Sequence, residues 1–178
     1  VTVLEYCKDV LPHFDTDLAK RLKQALGKRG INIETAAQVL SVEKCPDECL
    51  KVSYKKKDAV EEVVADTVLM AVGRRPNLTS LNLADIGIDF TPKGIVTDAD
   101  MRTNVPHIFA VGDIRGGLML AHVATFEGER ALNTIVAEMA GENVECPIND
   151  GIDLNIVPAA VFTSPEAAVV GKTEDSAV

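Results

Sequence analysis

Two apolar runs that stop abruptly at glycine constrain the fold of this chain more than any other feature. Asp66-Thr67-Val68-Leu69-Met70-Ala71-Val72 is apolar after its first two residues and breaks at Gly73-Arg74-Arg75-Pro76-Asn77, and Ile108-Phe109-Ala110-Val111 breaks at Gly112-Asp113. An apolar run without alternation reads as a strand buried on both faces, the condition of parallel strands covered by helices. In open sheets of that kind ligands bind beyond the carboxyl ends of the strands, so Gly73 and Asp113 fall where a site is expected.

The flanking sequence fits an α/β chain. Val1-Thr2-Val3-Leu4-Glu5 is a short β-rich run ending in an acid. It starts without a turn or cap, so the sequence is expected to begin inside a domain. Asp15-Thr16-Asp17 opens a helix whose apolar positions are Leu18, Leu22, Ala25 and Leu26. Lys20, Arg21, Lys23, Lys28 and Arg29 gather toward its far end, as the helix dipole favours, and Gly27 and Gly30 are the stop signals. Strand-like segments occupy 31–34, 38–43, 49–54 and 60–72, and their close spacing without helices predicts an antiparallel meander. Residues 78–100 are loop-rich. A second helix is expected over 121–140, with Val123, Phe126, Ala131, Leu132, Ile135, Val136 and Met139 at helical spacing and Gly141 at its end. Residues 147–151 form a linker, and a new element begins between Ile156 and Val170.

Composition narrows the partners. With 18 basic against 27 acidic residues the net charge is -9, which argues against nucleic acid and anionic membrane surfaces, since phosphate binding depends on Lys and Arg. No run approaches the roughly 20 apolar residues of a membrane span, and the first residues lack the marks of a signal peptide, so the chain is expected to be cytoplasmic. The four cysteines, Cys7, Cys45, Cys49 and Cys146, are too scattered for a disulfide scaffold. Cys45 and Cys49 are a close pair that reads either as a redox couple or half a metal site, or as two residues flanking the turn Pro46-Asp47-Glu48.

A carboxylate at the end of a strand disfavours phosphate but accepts hydrogen bonds from sugar or ribityl hydroxyls. Asp113 suits that role beside Gly116-Gly117; it can equally cap the turn after it. Glu5 is placed to accept from an adenosine ribose, as an acid does some 20 residues after a dinucleotide fingerprint, or is a solvated acid. His122 reads as a packing residue at a helix start. Arg74 and Arg75 either cap strand ends or pair with nearby acids, or else touch a nucleotide phosphate. His13 and His107, each beside a proline, have no assigned role.

Taken jointly, residues 71–77, then 108–113 with Met119-Leu120-Ala121-His122 and Glu127-Gly128 at a fixed distance, resemble in order and spacing the two internal signatures of the pyridine nucleotide-disulfide oxidoreductases. Met119 to His122, together with Thr2-Val3-Leu4-Glu5, Leu11-Pro12 and the Asp15-Thr16-Asp17 helix, is most similar to the dihydrolipoamide-oxidising branch. Residues 158–166 resemble the first strand of the family's dimerisation domain. The resemblance covers nearly the whole chain. It implies partial Rossmann-like FAD- and NAD(P)-binding domains with an antiparallel β-meander, plus the start of an α+β dimerisation domain. The implied boundaries are 1–72 for the later part of the NAD domain, 73–146 for a returning FAD segment and 147–178 for the opening of the interface domain.

It also implies roles. Glu5 would bind the NAD ribose, Val39 would lie beside the adenine, and Gly73, with no side chain to obstruct a cofactor, would approach the nicotinamide ribose. Asp113 would hold the ribityl chain of FAD, and Met119, Leu120, Ala121 and His122 would line the flavin ring, with the positive end of the second helix toward its pyrimidine edge. No residue here is assigned as catalytic and none as a metal ligand. Gly-x-Gly-x-x-Gly does not occur, nor do the family's redox cysteine pair, which has four intervening residues where Cys45 and Cys49 have three, and its C-terminal His-Glu base. The chain is therefore expected to be an internal fragment of an NAD- and FAD-dependent dehydrogenase, a homodimer serving lipoamide-bearing acyltransferase complexes, and by itself to bind both cofactors weakly and to be inactive. The other readings are another flavin disulfide reductase, of the glutathione or mercuric reductase type, and a non-catalytic nucleotide-binding module.

Overall fold

A computed structural model describes residues 1–177. The chain divides into two units, one of Val1–Ala71 with the segment from Pro158 onward, the other of residues 72–157.

The first unit begins with a β-α-β arrangement. Strand β1 (Thr2–Leu4) lies parallel to β2 (Asn32–Glu34), Thr2 opposite Asn32 and Leu4 opposite Glu34. Parallel neighbours need a crossover connection, and helix α1 (Thr16–Lys28) supplies it, burying Ala19 and Leu22. The helix has Asp17 in its first turn and Lys28 in its last, as the dipole favours. Lys23 Nζ donates to Thr35 Oγ1 at 3.1 Å, tying α1 to the end of β2.

The meander is formed as the strand-rich sequence predicts: β3 (Ala37–Lys44), β4 (Leu50–Lys56) and β5 (Ala59–Ala65) pair antiparallel in sequence order. A bulge breaks the β3–β4 register between Val39 and Ser41. Central strand β4 buries Val52 and Tyr54 on one face. The Tyr54 hydroxyl donates to Glu61 Oε2 at 2.8 Å; that bond, with burial and the carboxylate charge, pushes the phenol up to about 12. Lys56 pairs with Glu34, and the hydrogen bond from Lys56, then that from Asn32, holds the Glu34 carboxyl below its ordinary range. From Pro158 onward, β8 (Ala159–Val161) and β9 (Ala167–Val169) form an antiparallel pair. Arg29 at the end of α1 donates to the Ser164 carbonyl oxygen at 2.8 Å.

In the second unit, β6 (Phe90–Thr91) and β7 (Gly94–Ile95) make a small hairpin, a 3-10 turn spans Gly112–Arg115, and helix α2 runs Ala121–Met139. Leu83, Ile88, Ile95 and Ala110 form its core, with Leu78, Val105, Ile108 and Ile114 packed around them.

The two strands expected to be buried on both faces are not formed. Residues 66–72 pair with no described strand, and Leu69, Met70 and Val72 are 86%, 75% and 85% exposed. Ile108 to Val111 makes only an isolated bridge, Phe109 with Arg102; Ala110 turns into the core, while Phe109 lies under the Arg102 guanidinium at 4.4 Å and Val111 faces outward. The physical reason is that backbone amides become a strand only beside a neighbour that satisfies them, and no described strand lies alongside either run. Their hydrophobicity is legible in the sequence; their pairing is not.

Two glycines set how the 3-10 turn packs. Gly94, at φ 141°, lies so close to Arg115 that a Cβ would run into its backbone carbonyl, and a Cβ on Gly116, at φ 75°, would run into the Lys93 carbonyl oxygen. The hairpin and the turn thus meet backbone to backbone, which only glycine permits. We expect Gly94→Ala to destabilise the chain by about 2 kcal/mol through combined strain and steric conflict, measured by urea unfolding; an unchanged midpoint would contradict this packing.

Candidate functional site

Asp113 is the second residue of the 3-10 turn, and a buried carboxylate fixes that turn from below. Glu127, in the interior of α2, accepts from the Gly112 amide at 2.6 Å through Oε2 and pairs with Arg115 through Oε1. Arg115 in turn donates from Nε to Thr97 Oγ1 at 2.8 Å. A Cβ on Gly112, at φ 74°, would press on the Ala124 side chain at 3.0 Å, so the turn rests directly on α2. These contacts leave the Asp113 side chain 45% exposed, where its carboxylate can accept hydrogen bonds from a ligand. Arg74 approaches it at 3.2 Å, and this ion pair brings the Gly73 segment to the Asp113 turn. Of the two readings for Arg74, the structure contains the pairing with an acid.

The start of α2 lies just beyond. Leu120 occupies the N-cap position and provides no side-chain cap, and the first turn holds no acid. The partial positive charge of the helix terminus therefore remains available to an electron-rich group. Met119 and Leu120 are half-buried, and Ala121 and His122 are exposed. Gly73 has φ 102° and open space where a side chain would project. A half-exposed carboxylate beside a helix start without an acid is chemically suited to a flavin with its ribityl chain, and the bare Gly73 leaves open space nearby.

Glu5 and Val39 belong to the other unit. Glu5 stands directly after β1, where its backbone bonds both Glu34 and Ala37, and its Oε1 accepts from the Cys7 amide at 2.7 Å. That bond leaves a lone-pair face of the carboxylate for a ribose hydroxyl. Val39 sits on β3 opposite Tyr54, 45% exposed, beside the bulge. Cys45 and Cys49 flank a turn, and no cluster of three or more metal-binding side chains exists among the described residues.

In the sequence, Glu127-Gly128 stands out only as part of a spacing pattern, and nothing there marks Glu127 as the residue that positions the Asp113 turn. The one available signal is an acid placed on the inward face of a helix, where charge is expected only if paired. Arg130 is hidden for the same reason. About one helical turn farther on, it holds Asp150 from Nε at 2.8 Å and Nη2 at 3.0 Å, with both side chains buried (7% and 5% exposed). Burial acts to raise the Asp150 carboxyl, but hydrogen bonds from Arg130, the Ile152 amide and Asn133 outweigh it and hold the group below its ordinary value of 3.8. Because the folded form keeps the carboxylate ionised more readily than the unfolded chain, this contribution to stability is complete above that value and is lost as pH falls through the lower, folded one.

Both paired charges have measurable effects. Glu127→Ala strands the partly buried Arg115 and the Gly112 amide, and should cost about 3 kcal/mol in a chemical denaturation series. For Asp150→Asn, the stability deficit relative to the parent chain should be constant near neutrality and shrink as pH drops below 3.8; a deficit independent of pH would show that the ion pair is not what stabilises the 150–152 turn.

Among the described residues, no helix is long and apolar enough to cross a membrane. The profile of the family described as pyridine nucleotide-disulphide oxidoreductase matches residues 1–128. The chain is 42% identical over 99% of its length to a dihydrolipoyl dehydrogenase of Bacillus subtilis, covering 36% of that protein. It is 37% identical over 98% of its length to the dihydrolipoamide dehydrogenase of Chaetomium thermophilum, covering 33% of it. Among solved structures it is similar to LpdA of Mycobacterium tuberculosis, with a TM-score of 0.80 and 32% identity over 98% of this chain and 36% of that one. The HOCl-induced flavoprotein disulfide reductase RclA of Escherichia coli gives 0.77 and 28% over 99% of this chain and 38% of RclA. The chain thus spans about a third of the length of the relatives it matches.

Proposed function

Since this chain belongs to the pyridine nucleotide-disulphide oxidoreductase family, we propose that it is the part of a dihydrolipoamide dehydrogenase that holds FAD by its ribityl chain and NAD by its adenosine half. The observation that carries this is the Asp113 carboxylate, presented outward on a turn that Glu127 anchors and beside a helix start without a competing acid. When bound, FAD supplies the two-electron relay between a dithiol and NAD. The chain's own part is positional. Asp113 accepts from ribityl hydroxyls, Met119, Leu120, Ala121 and His122 border the flavin ring, and the α2 terminus favours negative charge near it. Gly73 leaves room for the nicotinamide ribose, while Glu5 accepts from the adenosine ribose and Val39 packs near the adenine.

Metabolic partners and setting belong to the same proposal: a cytoplasmic homodimer serving lipoamide-bearing acyltransferases. The redox cysteine pair, the glycine fingerprints and the His-Glu base that this chemistry requires are not in these 178 residues, so the chain by itself binds FAD and NAD weakly and does not turn over dihydrolipoamide. Similarity to RclA favours one second reading, a flavin disulfide reductase with another disulfide substrate.

The test is expression of the full reading frame that contains this sequence. The expected product is yellow, with a flavin spectrum, and reduces NAD when given dihydrolipoamide. Asp113→Ala should weaken FAD retention roughly tenfold or more, the effect of removing a charged hydrogen-bond acceptor. A folded, colourless product would overturn the flavin reading, and a flavoprotein that ignores dihydrolipoamide but consumes NADH with another disulfide would favour the second.

A further inference from the structure

The β3–β4 turn carries a cysteine pair that the proposed function does not use. The Cys45 amide donates to the Cys49 carbonyl oxygen at 2.9 Å, and the neighbouring register, Lys44 opposite Leu50 and Glu43 opposite Lys51, brings the two cysteines directly across from one another. Between them Pro46-Asp47-Glu48 forms a three-residue loop ending in Glu48 at φ 62°, the left-handed conformation that such loops use to close a hairpin. Directly opposed residues project to the same face, with Cα atoms about 5.5 Å apart at a hydrogen-bonded position, inside the roughly 4.4–6.8 Å span of disulfides. Both thiols are free and half-buried. The hydrogen bond between the two thiols, with burial and the charge of Cys49, raises the Cys45 thiol above its ordinary 9.0.

We propose that Cys45 and Cys49 are a dithiol site that exchanges with small-molecule disulfides and closes reversibly into a cross-strand disulfide stapling the β3–β4 hairpin. One protein thiol gives its proton to solvent and attacks a sulfur of the small disulfide. That S–S bond breaks, a small thiolate departs and is protonated, and a mixed disulfide remains. The second protein thiol, likewise deprotonated, attacks the protein-side sulfur and releases the second small thiol. Two protein thiols are oxidised and one small disulfide is reduced to two thiols, so no other oxidant enters. The site is separate from the cysteine pair that the family uses for turnover. Because the attacking species is a thiolate and the Cys45 thiol holds its proton tightly, closure is slow at neutral pH and accelerates as pH rises.

Incubation of the chain with 2-hydroxyethyl disulfide, then acid quench, thiol counting in denaturant and peptide mapping, tests this. Whatever mixed disulfides form on Cys7 and Cys146, the map should show a linked Cys45–Cys49 peptide lighter by two hydrogens that dithiothreitol restores. A Cys7→Ser/Cys146→Ser variant should form the same link, and Cys45→Ser should stop at a mixed disulfide on Cys49. Persistent separate adducts on Cys45 and Cys49, a link to Cys7 or Cys146 instead, or an unreacted pair would overturn the proposal, and the map of the unsubstituted chain decides it even if a variant fails to fold.

Discussion

A carboxylate taken out of water must be paired, and in this molecule that requirement organises the site. Glu127 is buried in α2 and finds its partners in the Gly112 amide and the Arg115 guanidinium. Those partners lie at the two ends of the four-residue turn that carries Asp113. Had Glu127 been apolar, α2 could still pack and Gly112 could still rest on Ala124, but no directed bond from the helix would hold the two ends of the turn. Burying this acid without partners would cost several kcal/mol, so the pairing is the condition on which the helix, the turn and the exposed aspartate share one geometry. The Arg130–Asp150 pair repeats the logic about one helical turn away and secures the loop after α2.

Much of this is legible in the residues. The helices at 16–28 and 121–139 are visible from apolar spacing and end signals, because those signals act locally through dipole and side-chain sterics. The meander is visible because antiparallel strands joined by short turns carry their pairing partners close by in sequence. The two apolar runs at 66–72 and 108–111 have the composition of strands and do not form them. A strand needs a neighbour, and the identity of a distant neighbour is not written in the run itself. The motif letters at 71–77 and 108–128 nonetheless lead to the family, since they mark where the chain must bend, not how it pairs.

The candidate site divides in the same way. Asp113 and Gly73 can be proposed from sequence because position after an apolar run singles them out. Glu127 cannot, because within a helix an acid ordinarily faces water, and only the packed geometry reveals that this one faces inward. Arg74 has two readings that sequence does not separate; its 3.2 Å approach to Asp113 comes from a chain reversal that no local pattern encodes.

In helix α2, polar side chains set the interface. Glu127 and Arg130 are buried three residues apart and bond groups outside the helix, the Gly112 amide and Arg115 in one case and Asp150 in the other, while the buried Thr134 bonds the Arg130 carbonyl of its own helix. Hydrophobic contacts tolerate small rotations and slides, because they are non-directional. Directed bonds from one stripe do not, so this helix has one admissible register. A library that kept its apolar pattern while randomising these polar positions would still yield helices, but the turn that carries Asp113 would lose its fixed aim before the secondary structure disappeared.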